Sequence, residues 1–220
     1  ERGPIPMRRV SIHSSLITAL VLSITLVQWQ AAEAAQSPQG KPLTVRGKIA
    51  AVEKDALKVT TSAGEVMVKL PEDVRVTGVE AAKLSDISSA EYVGTTTIKQ
   101  PDGTLKALEV HIFPESSRGT GEGHRPWDLT PGSTMTNANV EKVEQVPVEK
   151  AQEQLLTLKY KGGEQKVVVP PGTPIVKAVP GDRSLLKSGT GVFIPSVRGA
   201  DGTITATRIT AGVGGVMPPM

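Results

Sequence analysis

His124 and Asp128 stand four residues apart in the run Gly119–Asp128 (GTGEGHRPWD), with Glu122 just upstream and Arg125 and Trp127 between them. An imidazole and carboxylates are donors that suit zinc or copper. His111 could add a second imidazole, so the metal candidates are His111, Glu122, His124 and Asp128. Met135 and the terminal pair Met217 and Met220 offer thioethers of the kind that hold Cu(I). No H-x-H or H-E-x-x-H spacing accompanies them, and His111 falls in an alternating segment where a neutral, half-buried imidazole is ordinary. The expectation is therefore no cofactor, with a copper or zinc site as the alternative.

The same run can be read for catalysis. Ser116, Ser117 and Thr120 are hydroxyl nucleophiles near His124 and Asp128 in sequence. Catalytic groups usually converge from separate elements, however, and no G-x-S-x-G elbow is present. GTGEG lacks the lysine and the strand-to-helix setting of a phosphate-binding loop. Glu115 and Glu122 as an acid–base pair are better explained as solvated surface carboxylates. No catalytic residue is assigned, and a hydrolase ranks behind both the metal reading and a structural one. In the structural reading Arg118, Glu122, His124, Arg125, Trp127 and Asp128 form a strap. Trp127 fills a groove between domains, and Arg118 or Arg125 pairs with Glu115, Glu122 or Asp128. Burying an indole removes roughly 150–250 Å² from water, reason enough to order such a segment.

The elements that must position this run repeat. Displacing the chain by 99 residues brings Leu57 onto Leu156, Gly64-Glu65 onto Gly163-Glu164 and Asp102-Gly103-Thr104 onto Asp201-Gly202-Thr203. Twelve of the 54 positions from Leu57 to Val110 are then identical without a gap. Upstream the displacement becomes 91, pairing Ile49 with Val140, so the second copy carries eight extra residues within Gln145–Gln154. Each copy alternates as about six strands. In the first they fall at 45–53, 57–61, 66–70, 74–76, 91–99 and 104–112, with one helical turn in 80–89. Five or six short strands in some seventy residues suggest an all-β fold of two tandem small barrels, OB-like, with a compact β-sandwich as the alternative. The expected divisions are barrel repeat 1 at 43–112, a long ordered linker at 113–136, barrel repeat 2 at 137–211 and a flexible tail at 212–220.

Composition agrees with aliphatic β modules. The 220 residues include two each of Trp, Tyr and Phe, 22 Gly, 17 Pro and no Cys, which excludes thiol chemistry and disulfides. Arg8 and Arg9 precede the apolar run Leu16–Val27, and Ala32-Glu33-Ala34 supplies a small-x-small cleavage site, the pattern of a Sec-type signal peptide. Residues 1–34, the six upstream of Met7 included, are set apart from the fold. They hold three basic and two acidic side chains, so without them the net charge of +3 becomes +2. That balance, with no Lys/Arg cluster interleaved with aromatics, argues against a nucleic-acid partner. The expected location is the periplasm or the medium, with no transmembrane domain in the mature chain. The expected partner is an envelope protein, peptide or glycan.

The pattern Val45-Arg46-Gly47-Lys48-Ile49-Ala50-Ala51-Val52, followed by the ladder Asp102 to Val110, resembles the exported bacterial domain of unknown function 5666. The linker from His111 to Val140 is similar to one carried by proteobacterial members, while Ala138 departs from the glycine usual at that place. The resemblance spans nearly all of the mature chain. It implies an exported β module and brings no established activity or site residues. Some members carry a metal-transporter permease label, but a permease needs several spans of about 20 apolar residues, and no second such run is present.

Overall fold

A computed structural model describes residues 40–148 and 151–219; the expected signal peptide lies outside the described residues. The fold is all-β. In the first repeat the strands are β1 (Lys41–Val52), β2 (Ala56–Thr61), β3 (Gly64–Lys69), β4 (Arg75–Ala81), β5 (Tyr92–Lys99) and β6 (Leu105–Phe113). A four-residue strand β7 (Gly123–Pro126) follows. The second repeat gives β8 (Ser133–Val148), β9 (Ala151–Tyr160), β10 (Gly163–Val169), β11 (Ile175–Pro180), β12 (Gly191–Arg198), β13 (Ile204–Ala206) and β14 (Arg208–Gly212). The helical turn expected within 80–89 is a single 3-10 turn at Leu84–Asp86, repeated at Arg183–Leu185.

The strands form where apolar and polar residues alternate, but they do not assemble repeat by repeat. β1, β2 and β3 pair antiparallel in sequence order. The circuit then passes to the other repeat: β3 meets β13 in parallel at Lys69–Thr205, β13 pairs with β12, and β12 closes on β1 from Lys41–Arg198 to Lys48–Gly191. A second circuit runs through β8, β9, β10, β6, β5 and back to β8. Each closed five-strand ring thus takes three strands from one repeat and the last hairpin from the other. β4 and β11 join the rings, pairing antiparallel with each other and parallel with β14 and β6. In that junction Val176 faces Ala81 and Pro180 faces Thr77. The 99-residue displacement carries one pair into the other, so the junction lies on an approximate twofold axis.

The cores record the exchange. Val45, Leu57, Val59 and Val76 share one buried cluster with Val192, Ile194, Ile204 and Ile209. Val93, Val110 and Ile112 share the other with Ala138, Leu156, Leu158 and Val167. The divisions 43–112 and 137–211 are therefore corrected: neither repeat encloses its own core, and all fourteen strands belong to one sheet. Alternation decides which side chains of a hairpin face inward, but not whose interior they enter. Two copies of one hairpin fit either ring, and the connections through the 3-10 turns lead each across.

Other expectations resolve locally. The eight extra residues lengthen the β8–β9 hairpin, adding rungs from Glu144–Leu155 to Val148–Ala151 beyond the level where β1 and β2 end. The β1–β2 and β8–β9 ladders carry register shifts at equivalent places, after Ile49 and after Val140, where a bulge adds the twist that closure needs. The tail does not fray as expected. The Val213 N–H donates to the Val79 carbonyl at 2.8 Å and Pro218 is buried. The tail lies so close that a Cβ on Gly212 would come within 1.7 Å of the Val216 carbonyl oxygen. Met220 lies outside the described residues.

Candidate functional site

The linker 113–136 contains β7, which lies antiparallel on β8 with Gly123 opposite Asn137 and Arg125 opposite Met135. It adds an outer strand to the second ring. Ahead of β7, the Tyr92 hydroxyl donates to the Thr120 carbonyl at 3.0 Å, and the Asn137 amide donates to the same oxygen at 3.3 Å. Burial first, then the charge of Glu122, raises the Tyr92 phenol above its usual range.

Each strap residue has a distinct station. Arg118 grips Glu115 through two bonds, 2.7 and 2.5 Å, donates to the Ala90 carbonyl at 2.8 Å, and donates to the Asn139 side-chain oxygen. The hydrogen bond from Arg118 holds the Glu115 carboxyl below the usual range. Glu122 accepts the Lys161 backbone N–H at 2.9 Å. The His124 Nδ1 lies 2.8 Å from the Thr136 hydroxyl, and burial followed by the charge of Arg125 lowers its pKa. Arg125 donates to the Gly121 carbonyl at 2.7 Å and lies over the Trp127 ring, 5.5 Å from its centroid. The Trp127 N–H donates to the Ser133 carbonyl at 2.9 Å, while its buried indole N–H has no partner.

Asp128 alone of the six crosses to the first ring. It accepts two bonds from Arg46, at 2.6 and 3.3 Å, and the Arg46 guanidinium sits over the Phe193 ring at 5.1 Å. The bond from Arg46 lowers the Asp128 pKa. Of the pairings open to the strap arginines, Arg118 takes Glu115, whereas Arg125 takes none of the three carboxylates. Arg46 is the cation that sequence reading missed. Its signal was its place in the V-x-G-x-I strand, where alternation turns it outward between Val45 and Gly47.

The four metal candidates do not gather. His124, Glu122 and Asp128 are directed to three different partners, and among the described residues no three His, Asp or Glu side chains surround a common point. His111 is 3% exposed and stacks on Phe113 with ring centroids 4.5 Å apart. Neither of its ring nitrogens has a partner, and burial pushes its pKa down to about 4, which keeps the imidazole neutral. Nor does the catalytic alternative assemble: the His124 nitrogen faces Thr136 rather than Ser116, Ser117 or Thr120.

Away from the strap, a trough opens at the seam between β3 and β13. It is lined by Asp55, Val66, Met67, Lys69, Arg198, Thr203 and Ile204. Met67 is 43% exposed there, one of three large apolar residues that stand out in solvent among those described. No described helix is long and apolar enough to cross a membrane. Comparison with protein-family models, with curated proteins and with solved structures finds no match.

Proposed function

We propose that the protein is a non-catalytic, exported binding module of the cell envelope, the role implied by the resemblance to the domain of unknown function 5666. The ligand is an extended peptide segment of an envelope protein, and it adds to the first ring at the β3–β13 seam. The observation that carries this reading is the single rung, Lys69–Thr205, by which β3 meets β13. The rest of that edge of β3 offers backbone donors and acceptors beside the exposed Met67 and the half-buried Val66. An incomplete edge with apolar side chains is the ordinary receptor for strand addition, and soluble proteins otherwise blunt such edges with charge. The second ring places one such charge there: Lys166 stands where the first has Met67, and the polar Gln165 where the first has Val66.

The strand order supports an OB-like reading as well. Within the first ring β1, β2 and β3 are followed by the second and then the first strand of a hairpin, closing on β1. Such barrels receive ligands at the strand 2–3 face and at the loops after the first and fourth strands. Asp55 and Gly202–Thr203, from those two loops, line the trough.

The test places a photo-activatable amino acid at Met67, and separately at Lys166, in exporting cells. Adducts with an envelope protein at position 67 and none at 166 are expected. No adduct at 67, or equal labelling at both, removes the reading.

A further inference from the structure

The strap gives the second ring a strand that the first ring lacks. Over 134–137, β8 lies between β5 and β7. The 91-residue displacement sets Leu43, Thr44 and Val45 of β1 at the places of Thr134, Met135 and Thr136. There β1 pairs with β12 on one side, while its ladder with β2 begins only at Lys48. Among the described residues no strand and no backbone hydrogen bond meets the other edge of 41–45. Burial follows the difference: Ser133 and Met135 are buried, whereas their counterparts Pro42 and Thr44 are exposed and half-buried.

The Ile49 N–H donates to the Thr190 carbonyl at 2.9 Å, and the Ile49 carbonyl accepts from Gly189 at 2.7 Å, so Ile49 faces the chain entering β12. Backbone groups alternate in direction along a strand, which turns Gly47, Val45 and Leu43 the same way. The N–H and C=O of Thr44 and the C=O of Pro42 are then directed at the open slot. The second ring uses the matching group: the Ser133 carbonyl accepts the Trp127 N–H at 2.9 Å. On the inner face Val45 belongs to the buried cluster and Leu43 packs against it, so apolar side chains laid opposite them would extend that core.

Charge selects the occupant. Lys41 and Lys48 bracket the slot, both exposed, and Arg198 stands opposite Lys41 on β12. None of the three joins an ion pair among the described residues. The second ring has Gly132 and Asn139 at the places of Lys41 and Lys48, so these cations flank only the uncovered edge. They disfavour a second copy of the chain: antiparallel pairing of two such edges about Thr44 sets Lys41 of one beside Lys48 of the other, and Pro42 withholds a donor. A strand carrying carboxylates meets neither charge penalty.

We infer that the edge of β1 at 41–45 binds an extended acidic peptide as an added antiparallel strand, in the slot that β7 fills on β8. The peptide backbone bonds Thr44 and the Pro42 carbonyl, and its apolar residues face Leu43 and Val45. Carboxylates at its two ends face Lys41 and Lys48. In strand addition main-chain bonds supply affinity and alternate side chains supply specificity. This site lies on β1 rather than at the β3–β13 seam and does not rest on the reading given for that seam. Crosslinking at Met67 and occupation of β1 succeed or fail separately.

The probe is the end-blocked peptide Glu-Val-Thr-Val-Thr-Glu, titrated calorimetrically into the full chain at low ionic strength, with amide exchange followed by NMR. Saturable binding that slows exchange of the Thr44 amide is expected. Thr44→Pro removes the donor that faces the slot and keeps the ladder to β12, so it should weaken binding about ten-fold with an unchanged thermal transition. Methylating the nitrogen of the first threonine of the peptide, opposite Thr44, should do the same without touching the protein, whereas methylating the next valine nitrogen, which points away, should not. Changing both glutamates to lysine should abolish binding. No saturable binding, equal affinity for the lysine peptide, or binding that Thr44→Pro leaves within about two-fold overturns the site. Sedimentation that finds a dimer dissolved by Thr44→Pro makes a second copy the occupant and overturns the acidic peptide.

Discussion

The two rings share strand order, registers and bulge positions, yet their outer faces differ at several equivalent places. On the second ring Tyr92 and Phe113 pack with ring centroids 5.7 Å apart, His111 stacks on Phe113, and Gly94 leaves the space they fill. A Cβ on Gly94 would come within 2.9 Å of the Phe113 ring. On the first ring the large residue is Phe193, where the second has Gly94, and the flanking places are Gly191 and Gly212. There the gap is filled by the chain itself: a Cβ on Gly191 would lie 3.0 Å from the Met217 sulfur and from the Val216 carbonyl oxygen. Aromatic side chains and a returning tail are two solutions to covering one outer face. The difference teaches that duplication preserved the closed, exchanged interior and left the outer face open to divergence, charge included.

The exchange itself gives the largest expected effect. Leu57 and Leu156 are equivalent and fully buried, so truncating either to Ala should cost about 3 kcal/mol. The decisive readout is hydrogen exchange. Leu57→Ala should lower protection in β12–β14, which share its core, more than in β5–β6 of its own repeat. Loss of protection confined to 43–112 would restore the tandem arrangement.

The buried histidine sharpens the contrast next. His111 belongs to the second ring, and its counterpart in the first is Thr210. The pKa of His111 is near 4 folded and 6.5 unfolded, so between those values the unfolded chain binds a proton that the folded chain does not. Stability therefore falls as pH drops from about 6.5 to 4, by up to about 3 kcal/mol. His111→Thr, copying the first ring, should flatten the slope of denaturation midpoint against pH across that window. An unchanged slope would assign the acid sensitivity elsewhere.

The tail comes third. Gly212→Ala places a methyl group where the Val216 carbonyl lies, and should cost about 1–3 kcal/mol as strain or as release of the tail. Faster proteolytic trimming after Gly212 is the measurement, and trimming at the parental rate would show that the tail carries no weight. The smallest effect belongs to the clamp between the rings. Arg46 and Asp128 are 27% and 56% exposed, so Arg46→Ala should cost about 1 kcal/mol or less. A double-mutant cycle with Asp128→Ala measures that coupling directly.

Much of the fold was legible from the residues. The strand at 91–99 is found at Tyr92–Lys99, and the one at 104–112 at Leu105–Phe113, because alternation and the Asp-Gly turn are local signals. Gly47, part of the resemblance pattern, has a physical reason: a Cβ there would lie 2.1 Å from the Thr60 carbonyl oxygen. The strap was visible as a segment too specific for a spacer. Its partners were not, since Arg46 lies 82 residues from Asp128 and no local pattern joins them.

Composition and period fixed what each residue does within its own strand: aliphatic alternation made the chain all-β, the absence of cysteine left stability to buried apolar surface, and the 99-residue repeat required two similar rings. Side-chain periodicity carries no information about which of two equivalent interiors a hairpin enters, because both offer the same apolar surface. That choice is made by chain connection and closure in three dimensions. With it came the placement of Asp128 on Arg46 and the burial of His111.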